Sequence, residues 1–392
     1  MLYPFGRLSF KNVKSNSGFP RVLIVGNYKP DGSPSQTGFS KWLTDRMPQE
    51  GFDIQFTSAT PRLGIRPGRF AKWRGYIDRY VLFPPQLRRL SKEVDIVHIT
   101  DQSNSMYGRH STKSWGVTVH DLLAQRAALN EFPGWSIGPT GRVYQRWIRK
   151  SLLGARWIGC SSAATRDDFR KMINPDPKVS YLTVDGPYDD YRRLSIADST
   201  KALEEVGLGR LLNQPFILHL GGNQSYKNRP GYIKIAAELQ KGGPCKDHLF
   251  VASGRPFDAV MNAAVQQYPL GDALVKVERP ALNVVMALYS TADALVFPSV
   301  AEGFGLPVLE GMLSGCPVFT SDRAPMTEIG GSAARYFDPM DAKQAAGVIS
   351  SEWGERAAMA EAGYVQAEAY SADASAAQFG EWYHKILGSS LN

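Results

Sequence analysis

DALVFPSVAEGFGLPVLEGM, residues 293–312, reads as three pieces in order. DALVFPS is a short apolar run of the kind that forms a buried strand, and Ser299 to Leu306 is a loop carrying two glycines. Pro307 suits the first position of a helix because its missing N–H would be unpaired there anyway. The reading predicts a helix from about Pro307 through Met312, with Glu302 on the loop and Glu310 in the first helical turn.

The same rhythm extends in both directions. RVLIVG (21–26), VDIVHIT (94–100), WGVTVHD (115–121) and ARWIGCS (155–161) precede it, and PFILHLGG (215–222), HLFVASG (248–254), ALVKVE (273–278) and CPVFTS (316–321) complete a second series. Short β-rich runs separated by helical stretches predict parallel α/β sheets, because a parallel pair needs a crossover of a dozen residues or more. Two such sheets are expected in series, joined near the polar stretch 185–215, and a chain of 392 residues suits two domains. Ligands of open parallel sheets bind beyond the carboxyl ends of the strands, so the active site is expected in the cleft between the two.

Gly303 and Gly305 let backbone amides approach a ligand, and the helix start presents unpaired N–H groups and a positive dipole end that seat phosphate oxygens. An acid beside that seat repels a diphosphate unless it accepts hydrogen bonds from something uncharged, such as sugar or ribose hydroxyls. The expected ligand is a sugar nucleotide: diphosphate on the helix, one glutamate on the ribose, the other on the sugar. The plainer alternative, Glu310 as a helix-dipole partner and Glu302 as a solvated loop acid, stays open for each residue alone.

Composition is that of a globular protein, 43% hydrophobic and 21% charged, with no apolar run near the roughly 20 residues that span a bilayer. The first twenty residues show no signal-peptide core, and Cys160, Cys245 and Cys316 form no disulfide or metal pattern, so a cytoplasmic setting is expected. No acids or histidines have metal-ligand spacing, and no metal is expected. Charge is concentrated. Over residues 62–92, Arg62, Arg66, Arg69, Lys72, Arg74, Arg79, Arg88, Arg89 and Lys92 stand against Asp78, with Glu93 just beyond, a surplus of eight that equals the +8 of the whole chain. Phe70, Trp73, Tyr76, Tyr80 and Phe83 are interleaved, a mixture suited to anionic lipid or nucleic acid, or to a solvated helix with its aromatics turned inward.

Glu302 through Glu310 resembles the E-x7-E element of family-4 retaining glycosyltransferases, and FPSVAEGFGLPVLEGMLSGCPVFTSD is similar to that family's signature throughout. VTVHDL (117–122) resembles its His-Asp strand end, HLGGNQSYKN (219–228) its first C-domain loop, and YSADASAAQFGEWYHKIL (370–387) its closing helix. The resemblance implies a GT-B fold of two Rossmann-like domains. An acceptor domain would cover about 1–200, completed by about 372–392, and a nucleotide-sugar domain about 201–371. It implies His120 near the donor sugar with Asp121 in support, Lys227 on the leaving diphosphate, and Gly303, Phe304, Gly305, Leu306 and Glu310 around the donor. Relatives often carry an arginine where this chain has Gly221-Gly222-Asn223; Arg255, at the end of the next strand, is the candidate replacement. Gly38 is the expected start of the first helix, near phosphate or acceptor, and Arg279 a candidate for base contact. His98 is taken as core.

The expected activity is retaining transfer of a hexose, GDP-mannose first and a UDP-sugar second, by metal-independent front-face displacement with no cofactor beyond the donor. A double displacement using Glu302 as nucleophile stays open. The Lys227-Asn228 pair is similar to that of mannosyl- and rhamnosyl-transferring relatives. The basic segment suits a glycan or lipid-linked acceptor met at the inner face of the plasma membrane, in envelope polysaccharide or glycolipid assembly. A soluble acceptor is the alternative. A nucleic-acid-binding protein is the alternative of another class; a dinucleotide oxidoreductase lacks its G-x-G-x-x-G after the first strand.

Overall fold

The computed structural model describes residues 18–32, 34–63, 70–132, 135–175, 180–183 and 186–389; Arg66 and Arg69 of the basic stretch lie outside them. The first half holds β1 (Arg21–Val25), β2 (Asp53–Thr57), β3 (Ile96–Ile99), β4 (Trp115–Val119), β5 (Trp157–Cys160) and β6 (Ser180–Thr183). The second holds β7 (Phe216–Gly221), β8 (Leu249–Gly254), β9 (Leu274–Glu278), β10 (Ala294–Phe297), β11 (Val318–Ser321) and β12 (Arg335–Phe337). Every pairing is parallel, in the orders β2-β1-β3-β4-β5-β6 and β12-β11-β10-β7-β8-β9. This is the GT-B architecture expected from the sequence.

Both faces of each sheet are covered. In β1, Leu23 and Val25 enter one apolar cluster and Val22 and Ile24 another, the period of two expected of a strand buried on both sides. The second cluster is completed from the far end of the chain. Helix Ala372–Ser389 brings Phe379, Trp382, Tyr383 and Ile386 back onto β1 and β5, the crossing that closes this fold. His98 on β3 is the polar pin of that contact, its ring hydrogen-bonded to the hydroxyls of Tyr383 and Thr118.

Burial holds His98, and His219 on β7, neutral, each with a pKa of about 3 against an ordinary 6.5. The unfolded chain therefore binds protons below pH 6.5 that the folded chain refuses, so stability is lost as pH falls through that window. At pH 5 the two histidines are expected to withhold about 2 kcal/mol each relative to pH 7.5. Urea melts at both pH values check this, with His98→Gln/His219→Gln expected to flatten the difference.

The order of each sheet reverses once, between β1 and β3 in the first half and between β7 and β10 in the second. Loops leaving those neighbouring strands part in opposite directions and open a crevice at the carboxyl edge. In the second half these are the loops that carry Lys227 and Glu302.

Two local readings are corrected. The first helix runs Pro34–Arg46, so Gly38 is its fifth residue rather than its start, proline being well suited to open a helix. The helix after β10 runs Leu306–Leu313, with Gly305 left-handed at φ 103° as its cap, which moves Glu310 past the first turn.

Candidate active site

At the crevice of the second sheet, the β7 and β10 loops are tied together. Val300 N–H donates to the Tyr226 carbonyl at 2.8 Å, and Ser299 Oγ lies 3.0 Å from the same carbonyl. Lys227 Nζ lies 2.8 Å from one Glu302 carboxylate oxygen and 2.9 Å from the other. Ser299 Oγ also lies 2.7 Å from the first of these oxygens. The carboxylate is thus held by a cation and a hydroxyl, its side chain buried, at the mouth of the helix Leu306–Leu313.

Across the gap, His120 follows β4 directly. Its Nε2 lies 2.9 Å from the Thr100 carbonyl, which can only accept, so Nε2 carries a proton and donates it there. Phe39 meets the ring edge-on at 4.9 Å. Gln102 fixes the main chain beneath it, accepting from His120 N–H at 3.0 Å and donating to the Asp121 carbonyl at 2.8 Å. Asp121 caps the next turn through Leu123 N–H at 3.0 Å, and burial raises its carboxyl above the usual range.

The two halves meet at Gly303. A methyl group there would overlap the His120 carbonyl oxygen and lie 2.9 Å from the Asp121 Cβ. In this structure the glycine thus admits the main chain of the other half. The Gly303 carbonyl faces three hydroxyls of the β5 turn: Ser161 Oγ at 2.8 Å, Ser162 Oγ at 2.6 Å and Thr165 Oγ1 at 2.9 Å. Beside it, Glu328 accepts from Ala163 N–H at 2.7 Å and Ala164 N–H at 3.3 Å, so a carboxylate of one half sits on the helix start Ala163–Met172 of the other. Sequence reading found none of these four side chains.

Between the halves lies a cleft of about 370 Å³, lined by Gly32 of the β1 loop, by Ser35 and Gln36 at the start of the helix that follows it, by His120 and Asp121, and by Lys227, Arg255 and residues 302–307. Glu302, Lys227, His120, Arg255, Gly303, Phe304, Gly305 and Leu306 are thus brought together. Phe304 contributes little side chain, since its ring is buried edge-on to Tyr370 at 5.8 Å. Arg255 is exposed and, among the described residues, has no ion-pair partner.

Other expected residues lie off the cleft lining. Gly38 packs toward Tyr188. Arg279 is exposed after β9, left-handed at φ 48°, its N–H on the Gly254 carbonyl at 2.7 Å. Glu310 lies one turn along its helix, accepting from the Tyr289 hydroxyl at 3.1 Å. Burial raises its pKa to about 7, against the lowering effect of Tyr289, Tyr191 and Lys227.

A further cation went unread in the sequence. Arg229, buried at the start of helix Arg229–Gln240, donates to Asn223 Oδ1 and, at 2.9 Å, to the Arg255 carbonyl. A guanidinium therefore does stand against Gly222-Asn223, entering from the next helix. The Asn228-Arg229-Pro230 helix start was its available signal. Among the described residues no group of three or more His, Cys, Asp or Glu is placed to hold a metal ion.

Comparison with known proteins agrees with this geometry. Residues 204–364 match the family described as glycosyl transferases, group 1. The chain is 28% identical over 205 residues to the O-antigen chain mannosyltransferase RfbU of Salmonella typhimurium, covering 52% of each chain. It is 36% identical over 238 residues to O-antigen chain mannosyltransferase B of Escherichia coli, covering 60% of each. The chain thus spans only about half to three-fifths of these relatives. Among solved structures, sucrose-phosphate synthase of Thermosynechococcus elongatus superposes with a TM-score of 0.70 at 17% identity, over 94% of this chain and all of that one. HepE of Anabaena, in complex with UDP and glucose, gives 0.70 at 14%, over 93% and all of that chain.

Proposed function

We propose, from the premise that residues 204–364 are a group 1 glycosyl transferase domain within a GT-B frame, that the protein moves a hexose from a nucleotide diphosphate sugar to a glycan or lipid-linked acceptor in envelope polysaccharide assembly. GDP-mannose is the first donor to test, because curated relatives that the chain resembles carry mannosyltransferase names. The observation that carries the reading is the meeting of Lys227 and Glu302 at the switch point of the second sheet, beside an open helix start and facing His120.

In this reading the diphosphate lies on the amides of the Leu306–Leu313 helix start. Lys227 Nζ and the Arg255 guanidinium take up charge as the glycosidic oxygen leaves, which is where fixed cations act most strongly. Lys227 is already held by Glu302, so it is oriented before donor arrives. Glu302 accepts from sugar hydroxyls, and its engagement by Lys227 and Ser299 makes it a poor nucleophile, which favours front-face displacement with retention. The acceptor hydroxyl attacks the anomeric carbon on the face the diphosphate leaves, and its proton passes to a departing phosphate oxygen. His120 positions the sugar. No metal is required, so added chelator should leave the rate unchanged.

Glu310 is assigned the ribose hydroxyls. A carboxylate accepting from them is favoured over the acid, so donor binding lowers its raised pKa, and affinity for GDP-mannose should strengthen as pH rises through about 7. Titration calorimetry at pH 6 and 8 checks this, and Glu310→Gln should remove the slope. In the free protein the sign reverses. The folded-state pKa lies above the unfolded one, so the carboxyl costs stability as pH rises from about 4.5 to about 7, and Glu310→Gln should melt higher than wild type at pH 8 and equally at pH 4.

The test of the function is thermal stability against UDP, GDP, ADP and their sugars. A ligand at 100 times its dissociation constant adds about 2.7 kcal/mol. Stabilisation by one nucleotide series identifies the donor base, and a flat response from a folded protein refutes the donor site.

A further inference from the structure

From Phe70 the chain forms one rod: helix Ala71–Ile77, a π-helical turn Asp78–Leu82 and helix Phe83–Leu90. Its inner side is ordinary core, with Phe83 and Leu87 buried and Tyr80 packed against them. Its outer side is not. Phe70 is 63% exposed, Trp73 67%, Ile77 41% and Val81 60%, at spacings of three, four and four that place them along one face.

The charge around this face is mostly of one sign, with the exposed acids Asp31, paired to Arg79, and Glu93 at its margins. The single acid between residues 70 and 92, Asp78, is buried, accepting from the Tyr28 hydroxyl and from Arg62 and Leu63 N–H. Arg88, Arg89 and Lys92 are exposed. The neighbouring helix Pro139–Leu152 has no acid at all and exposes Arg142, Arg146, Arg149, Lys150 and Val143. Tyr80 joins the two elements, its hydroxyl 3.1 Å from that of Tyr144 and its ring 5.1 Å from Trp147.

Exposed aliphatic and aromatic side chains ringed by a surplus of cations fit one partner best. A second copy of the chain would bring like charges together, and nucleic acid gains from stacked aromatics but nothing from Ile77 and Val81. A bilayer accepts both parts, apolar side chains at the acyl boundary and cations among the phosphates.

We propose that the rod 70–92 and the helix Pro139–Leu152 form a docking face for a bilayer containing anionic lipid, with Phe70, Trp73, Ile77 and Val81 entering the headgroup boundary. The face is tied to the cleft. Arg79 Nη1 lies 3.1 Å from Asp31, and Asp78 holds Tyr28, on the β1 loop that leads into the helix whose Ser35 and Gln36 line the cleft. A lipid-linked sugar in that bilayer would meet the rim formed by the first half.

The inference goes beyond the transferase reading and does not depend on it. The test is co-sedimentation of the full chain with vesicles of phosphatidylcholine alone or mixed with phosphatidylglycerol, with the nucleotide melting shift run on the same samples as a separate measure of the donor site. Wild type should sediment only with the mixed vesicles, more weakly as salt is raised. Arg88→Gln/Arg89→Gln/Arg146→Gln/Arg149→Gln should weaken binding on the order of 1,000-fold, each cation near such a surface contributing about 1 kcal/mol. Phe70→Ser/Trp73→Ser/Val81→Ser should abolish sedimentation at low salt while wild-type melting is kept. Equal sedimentation with both vesicle types, or with neither, overturns the proposal. So does tight binding of RNA in place of vesicles, or an apolar variant that binds vesicles like wild type but loses self-association of the free protein.

Discussion

Lys227→Ala is expected to lower kcat by on the order of 10²–10³-fold, the loss seen when one fixed group stabilising transition-state charge is removed. The ammonium lies at the switch point of the second sheet, beside the helix start, where the proposed reaction would develop charge on the leaving diphosphate. A second effect separates this role from a structural one. Removing the cation leaves the buried Glu302 carboxylate with only Ser299 against it, which should cost about 3 kcal/mol of stability, the low end for breaking a buried pair. Adding Glu302→Gln should restore the melting temperature and leave the rate low. A Lys227→Ala enzyme within a few-fold of wild type would remove lysine from the chemistry.

Gly303→Ala is expected to lower kcat/KM on the order of 10²-fold, a loss within reach of a displacement near 1 Å at a reacting centre. Its melting temperature should stay close to wild type. The new methyl meets the His120 main chain, not the core of either half, so relief comes from separating the halves. That separation pulls Gly303 O away from Ser161, Ser162 and Thr165 and moves His120 away from Glu302. Steady-state kinetics with a melting curve suffices. Wild-type kinetics would mean that the halves need not approach this closely for turnover, and a collapsed melting curve would make the glycine a folding residue.

The central strands were legible because burial on both faces writes them as continuous apolar runs, as in RVLIV and ALVF. DIQFT, SYLT and RYF were not, since β2, β6 and β12 lie at sheet edges and keep polar residues among the apolar ones. Pro307 marked the helix start to within one residue. Glu302, Lys227 and His120 were readable because each follows a strand that ends at the cleft. The hydroxyls on Gly303 O and the Glu328 carboxylate were not: they act across 138 to 165 residues of chain, and no local pattern records how two halves are set against each other. Arg229 was missed for a different reason. A charged residue at a helix start reads as solvated, whereas this one is buried under the Arg255 carbonyl.

The most direct measurement is a structure of the complex with GDP-mannose. The expected result places the diphosphate on the amides of the helix Leu306–Leu313, with Lys227 Nζ about 3 Å from a phosphate oxygen, the ribose hydroxyls on Glu310 and the hexose between Glu302 and His120. A nucleotide bound away from that helix start, or a diphosphate that leaves Lys227 paired only with Glu302, contradicts the account.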